Sequence, residues 1–178
     1  MGLDNVKIGA KAPEEVNVII EIAAMQAPVK YEVDKDSHVL HVDRFLSTSM
    51  QYPCNYGYVP NTLCGDGDPS DVLVLSPFSL MPGSVITVRP IGVMIMSDEA
   101  GKDNKILAVP VSKITKEYDH IKNVADLPAG VLDRISHFFE RYKDLEFGKW
   151  VKLDQWLDAK AAVADLNEAM NRYNDSCK

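Results

Sequence analysis

The hydrophobic pattern of this 178-residue chain changes period once, near Pro128. Before that point apolar residues alternate or come in short runs, as in strands; after it they recur at every third and fourth position, as on one face of a helix. Val16 to Ala24, "VNVIIEIAA", reads as a buried strand interrupted by one acid, Glu21. "KYEVD" at 30–34 places Tyr31 and Val33 on one face and Lys30, Glu32 and Asp34 on the other. "KDSH" supplies a turn, and "VLHVDRFL" returns as a second arm with Leu40, Val42 and Arg44 sharing a face. "QYPCNYGYVPNTL" reads as loop, because two prolines and a glycine punctuate it. "DVLVL", "SVITVRPIGVMIM" (broken at Pro90 and Gly92) and "KILAVPV" add further strands. Beyond Pro128 a helical stripe runs through Val131, Leu132, Ile135, Phe138, Phe139, Tyr142 and Leu145, with Asp126 as its candidate cap. A second helix begins near Ala159. Strands first and helices after predict an α+β fold, most simply a small closed barrel with two main helices packed outside. The length suits a single domain over 1–178.

The formal net charge of −7 argues against a nucleic-acid binder. It also argues against an anionic substrate, unless cations stand between protein and ligand. No apolar run approaches the roughly 18 residues of a membrane span. "MGLDNVKIGAKAPEEVN" lacks the apolar centre of a signal peptide, and Val6 stands where a myristoylation site needs Ser or Thr. These features predict a cytoplasmic protein that meets neither membrane nor nucleic acid. Cys54, Cys64 and Cys177 have no metal-type or disulfide-type spacing and read as reduced thiols.

"GDGDPSDVLVL" is the segment that asks for chemistry. Asp66, Asp68 and Asp71 fall within six residues, just ahead of a strand. Two carboxylates 4 Å apart repel by roughly 4 kcal/mol at an effective dielectric of 20. Taken alone, acids in such a stretch are ordinary turn chemistry. Here they have company: Asp98, Glu99 and Asp103 occupy another strand-end loop, and Glu21 and Glu32 interrupt strands. An EF-hand started at Asp66 fails, because Asp71 and Pro77 fall where Gly and Glu are required. Zinc is disfavoured by a cluster without His or Cys. Carboxylate oxygens alone favour Mg²⁺ or Mn²⁺. Lys30, Arg44, Lys105 and Lys143 are each readable as solvated surface cations. Interleaved with the acids, they read as a phosphate cage around a metal cluster. Tyr52 and Tyr56 are candidate hydrogen-bond donors or packing residues.

Taken in order, "IEI" with Glu21, "KYEVDK" with Lys30 and Glu32, "VDRF" with Arg44, and "YPCNYGYVP" with Tyr52 and Tyr56 form a recognisable series. "DGDPSDVLVL", "DEAGKDNK", "KEYDHIK" and "HFFERYKDLEFGKWV" continue it. Over nearly the whole chain it resembles the soluble family I inorganic pyrophosphatases of bacterial type. The resemblance implies an OB-type five-stranded barrel with helices outside, and hydrolysis of pyrophosphate to two orthophosphates. It implies that Asp66, Asp71 and Asp103 hold a tighter metal, Asp71 bridging to a second. Asp98 and Asp103 would hold a third ion arriving with substrate, and Glu21 would support a fourth. Glu32 and Glu99 resemble water-mediated or supporting groups, with Tyr52 beside them. Asp68 looks like the general base; Lys30, Arg44, Tyr56, Lys105, Tyr142 and Lys143 look like phosphate ligands. The implied cofactor is several Mg²⁺ ions per site, with Mn²⁺ as a substitute, and the implied assembly is a homo-hexamer. Two ions bridged by Asp71 would offset the carboxylate repulsion and lower a shared water's pKa from about 15.7 toward about 7. Asp68 would take its remaining proton, and the metal-activated hydroxide would attack phosphorus directly, with no covalent enzyme intermediate. The net charge then no longer conflicts with the substrate, which is the magnesium complex of pyrophosphate. Ser70 departs from the apolar residue usual in the signature loop. The competing readings are an OB-type single-strand-binding module, a structural calcium module and a phosphohydrolase of nucleotides or polyphosphate.

Overall fold

The computed structural model of the protein describes residues 2–178, so the Met-Gly start read above begins outside the described residues. Nine strands and two helices follow one another in the chain: β1 (Val16–Ile22), β2 (Val29–Val33), β3 (Leu40–Phe45), β4 (Asn55–Val59), β5 (Ser70–Val74), β6 (Val85–Asp98), β7 (Gly101–Lys102), β8 (Lys105–Pro110), α1 (Ala129–Arg141), β9 (Val151–Asp158) and α2 (Ala159–Ser176). Two short 3₁₀ turns lie at Leu3–Asn5 and Val124–Asp126.

The period-2 segments close on themselves. β1 pairs with β4, β4 with β5, β5 with β8, β8 with β6, and β6 returns to β1. All these pairs are antiparallel except β5–β8. The result is the expected α+β fold, a five-stranded ring of OB type with two helices against it. The 14-residue β6 pairs with four strands, β1, β7, β8 and β9, and bends at a register shift between Pro90 and Gly92. Proline cannot donate to the ladder, so it falls at such an irregularity. The segment is thus bent rather than broken. β2 and β3 form a separate two-stranded sheet.

Alternate residues of the ring strands feed two cores. Val72 and Val74 of β5 join Val16, Val18 and Ile20 in a cluster that includes Ala162 and Leu166 of α2. Leu73 points to the other face, with Leu107, Met94 and Met96, in a cluster that includes Ile135, Phe138 and Phe139 of α1. α2 starts on Asp158, whose carboxylate accepts from the Ala161 N–H at 2.9 Å. No helix among the described residues is long and apolar enough to cross a membrane.

Four local expectations need correcting. The segment around Tyr56 is not all loop: Asn55–Val59 is β4, a five-residue strand hidden between Pro53 and Pro60. Val151–Asp158, "VKLDQWLD", is a strand that the pattern did not announce. Its polar residues stay exposed while it pairs with one flank of β6. Asp126 does not cap α1; it accepts from the Lys122 and Asn123 N–H groups and closes the 3₁₀ turn, while Pro128 takes the position before α1. Leu40, Val42 and Arg44 do not share a core face. A register shift at Lys30/Tyr31 breaks the alternation, and Val42 stands exposed.

Candidate active site

Every one of the fifteen residues singled out above lines one cavity of about 580 Å³. Glu21 comes from β1, Lys30 and Glu32 from β2, Arg44 from β3, and Tyr56 from β4 with Tyr52 just ahead of it. Asp66 and Asp68 come from the loop before β5, and Asp71 from β5 itself. Asp98 ends β6, Glu99 and Asp103 belong to the following turns, and Lys105 opens β8. Tyr142 and Lys143 follow α1.

Register explains the closest charges. Asp71 lies opposite Tyr58 on one side and Lys105 on the other. Lys105 Nζ therefore reaches Asp71 Oδ2 at 2.5 Å and Asp103 Oδ1 at 2.6 Å, with the Tyr56 hydroxyl at 3.4 Å. Burial alone would push this ammonium's pKa down. The Asp71 and Asp103 carboxylates overcome that and hold it well above the usual lysine range. Burial pushes the Asp103 carboxyl up, although Lys105 opposes it. Lys143 Nζ donates to Asp98 at 2.8 Å and faces both Glu99 oxygens at 3.4 Å. Glu99 is held down at about 2: burial acts upward, but the Lys149 hydrogen bond at 2.6 Å and Lys143 outweigh it.

Glu21 is the acid most at odds with its surroundings. It is 6% exposed between Ile20 and Ile22, and one oxygen accepts from the Val33 N–H at 2.7 Å. Burial pushes its carboxyl up to about 8 despite that hydrogen bond.

The acid loop is built by local hydrogen bonds. The Cys64 N–H donates to the Asp68 carbonyl at 2.7 Å, and the Asp68 N–H to Asp66 Oδ1 at 3.0 Å. Gly67 between them sits at φ +91°, which favours glycine. Ser70, the unusual residue here, is buried but satisfied: its N–H donates to Thr62 Oγ1 at 2.9 Å, and its hydroxyl meets Cys64 Sγ at 3.4 Å. Tyr52 is locked by rings, 5.3 Å from Tyr56 and 4.6 Å from Phe138 between centroids.

Several charged partners escaped the sequence reading. Lys35 pairs with Asp68, Asp43 lies 2.9 Å from Lys30 Nζ, Lys149 holds Glu99, and Glu146 lies 3.6 Å from Arg44 Nε. Lys35 and Lys149 fall inside quoted motifs, "KYEVDK" and "FGKWV", but a single lysine on a turn leaves no periodic signal.

Nine acidic side chains line the cavity against seven lysines and arginines. Such a site needs further cations before it can accept an anion. The donor set fits hard divalent ions: carboxylate oxygens dominate and no cysteine lines the cavity. Among the described residues no three His, Cys, Asp or Glu side chains already converge on one point. Lysine ammoniums stand between the carboxylates instead.

A model of the family described as inorganic pyrophosphatase matches residues 18–174. The inorganic pyrophosphatase of Escherichia coli (strain K12) is 58% identical over 172 residues, covering 97% of this chain and 98% of that protein. The chain belongs to the inorganic pyrophosphatase family. The pyrophosphatase of Xanthomonas axonopodis pv. citri (strain 306) is 60% identical over 174 residues, 98% of each chain. The crystal structure of the inorganic phosphatase from Anaplasma phagocytophilum superposes with a TM-score of 0.94 at 52% identity, over 96% of this chain and 99% of that one. The pyrophosphatase of Thermus thermophilus gives 0.92 at 43% identity, over 98% and 99%. Pyrophosphatases of this family are metal-dependent hydrolases, so membership sets aside the single-strand-binding and calcium-module readings.

Proposed function

We propose that this chain, as one domain over residues 1–178, hydrolyses magnesium pyrophosphate to two orthophosphates. The observation that carries the reading is the convergence of acids and cations from separate strands and loops on one cavity. Asp66, Asp71, Asp98, Asp103 and Glu21 would hold several Mg²⁺ ions, or Mn²⁺ in their place. When bound, these ions supply charge neutralisation and lower the pKa of a coordinated water. Asp68 then takes a proton from the attacking water, exchanging its contact with Lys35 for that role. Lys30, Arg44, Lys105, Tyr56, Tyr142 and Lys143 bind the phosphoryl oxygens and hold the substrate in line. As the bond to the bridging oxygen breaks, the lysines and arginine stabilise the charge left on the departing phosphate. Glu32, Glu99 and Tyr52 orient these groups: Glu32 on Lys30 at 3.1 Å, Glu99 on Lys143, and Tyr52 against Tyr56.

The working assembly in this reading is a homo-hexamer in the cytoplasm. Its support is a corner of the surface where Met25, Phe78 and Met81 are more than half exposed. Asn55 gathers the loops that carry them, accepting from the Ala24 and Leu80 N–H groups. Phe138 and Phe139 lend no support to it, since both are buried within the chain.

The test is phosphate release from pyrophosphate. The full chain should release phosphate with Mg²⁺ and stop when a chelator is added. Turnover that survives removal of all divalent metal would overturn the metal assignment, and no release with Mg²⁺ or Mn²⁺ would overturn the activity.

A further inference from the structure

Arg44 leaves β3 with its guanidinium between two carboxylates. Nη1 donates to Asp43 Oδ2 at 3.1 Å. Nε faces Glu146 Oε1 across 3.6 Å. That gap is too long for an N–H···O bond, yet both atoms are buried and neither has another partner. Leaving charged groups buried and unpaired is costly, so two such atoms aimed at each other call for a reason.

We propose that Glu146 is a positioning residue, holding the Arg44 guanidinium against the substrate's phosphoryl group, with the 3.6 Å gap closing when the anion binds. The proposal rests on Arg44 being a phosphate ligand. Active-site hydrogen bonds that are long without substrate commonly tighten in the complex.

The surroundings of Glu146 suit this part. Its N–H donates to the Lys143 carbonyl at 2.9 Å, and its carbonyl accepts from the Lys149 N–H at 3.2 Å. It therefore lies in the same turn as two lysines of the cavity. The β2–β3 hairpin that carries Lys30 and Arg44 is not hydrogen-bonded into the ring. At its inner end Glu21 ties it through the Val33 N–H. At its outer end, among the described residues, the Arg44–Glu146 contact is the one ion pair joining it to the turn after α1. The hairpin's turn is held by Lys35 on Asp68, and the chain after β3 by Thr48 on the Tyr142 carbonyl, but among the described residues the Arg44 guanidinium itself meets only Asp43 of its own strand and Glu146; a misplaced phosphate contact is paid in rate.

Charge alone predicts the opposite sign. Glu146 is an acid beside an anion site, so removing it should strengthen substrate binding if it acts only through its field. Positioning predicts a loss.

The test compares Glu146→Ala, Glu146→Gln, Arg44→Ala and the Arg44→Ala/Glu146→Ala double variant, with kcat/KM for magnesium pyrophosphate as the readout. Glu146→Ala should lower kcat/KM about tenfold in the native background but less than about twofold once Arg44 is alanine. Glu146→Gln, whose amide oxygen still accepts from Nε, should recover to within about threefold of the native value. Equal or better activity of Glu146→Ala overturns the proposal. So does an undiminished loss in the Arg44→Ala background, which would place Glu146 in an independent role. If Glu146→Ala does not fold, Glu146→Gln combined with Arg44→Ala decides by the same non-additivity. A silent Arg44→Ala would remove the phosphate role of Arg44 and this proposal with it, whereas a crippled Arg44→Ala beside a normal Glu146→Ala removes the proposal alone.

Discussion

Asp68 and Glu21 are both carboxylates of one cavity, yet their surroundings suit them to different work. Asp68 is exposed on a loop, its backbone fixed by Cys64 and Asp66 and its carboxylate resting on Lys35. Asn at this position keeps the turn and loses the proton acceptor. Asp68→Asn should therefore lower turnover about 10²–10⁴-fold and leave the melting temperature nearly unchanged. A variant keeping more than about a third of native turnover at saturating Mg²⁺, against that expected loss, would remove Asp68 from the chemistry. Glu21 is buried, and its carboxyl titrates near 8 instead of 4.5. Between those values the folded protein binds a proton that the unfolded chain has lost, so metal-free stability falls as pH rises through this window and levels above it. Glu21→Gln removes the titration. In chelator, the variant should match the native protein near pH 5 and exceed it near pH 8, by a few kcal/mol at most, on the order of one pKa unit per 1.4 kcal/mol. Parallel stability curves across that range would show that burial does not burden this carboxylate.

Among the elements, the join between β1 and β4 is the tightest. A Cβ on Gly57 would lie 1.9 Å from the Ile19 carbonyl oxygen, a backbone atom that cannot step aside. Gly57→Ala should cost roughly 3 kcal/mol or more through overpacking, seen as a lower urea midpoint; an unchanged midpoint would mean the ring has slack there. The same strand shows where sequence reasoning reached its limit. β1, β5 and β8 were legible because their apolar runs are long and β-branched. β4 was not, because its five residues include the glycine that close approach demands and are bracketed by prolines, so every local cue said loop. β9 was missed because an edge strand that keeps its polar residues in water carries little hydrophobic signal. The acids and cations of the cavity were legible as ordered motifs. Their partners Lys35 and Glu146 were not, since a contact such as Lys35–Asp68 spans 33 residues and is set by the closed ring, not by local pattern.

The assembled protein draws its cavity from three places: the ring carries Glu21, Asp71, Asp98 and Lys105, the β2–β3 hairpin brings Lys30 and Arg44, and the segment after α1 brings Lys143 and Lys149. The exposed corner of Met25, Phe78 and Met81 is the surface on which the proposed hexamer rests. Light scattering should give a mass near six protomers of 19.8 kDa each, and a single-protomer mass at micromolar concentration would rule the hexamer out. The lysines that stand between carboxylates have a consequence for how the enzyme comes into service. Lys105 bridges Asp71 and Asp103, so a cation belonging to the chain itself offsets the repulsion between these two carboxylates. Under the proposed metal dependence, an ion taken by Asp71 and Asp103 would displace that ammonium, so at this point of the cavity metal would enter by exchange with a resident cation and not by filling an open site.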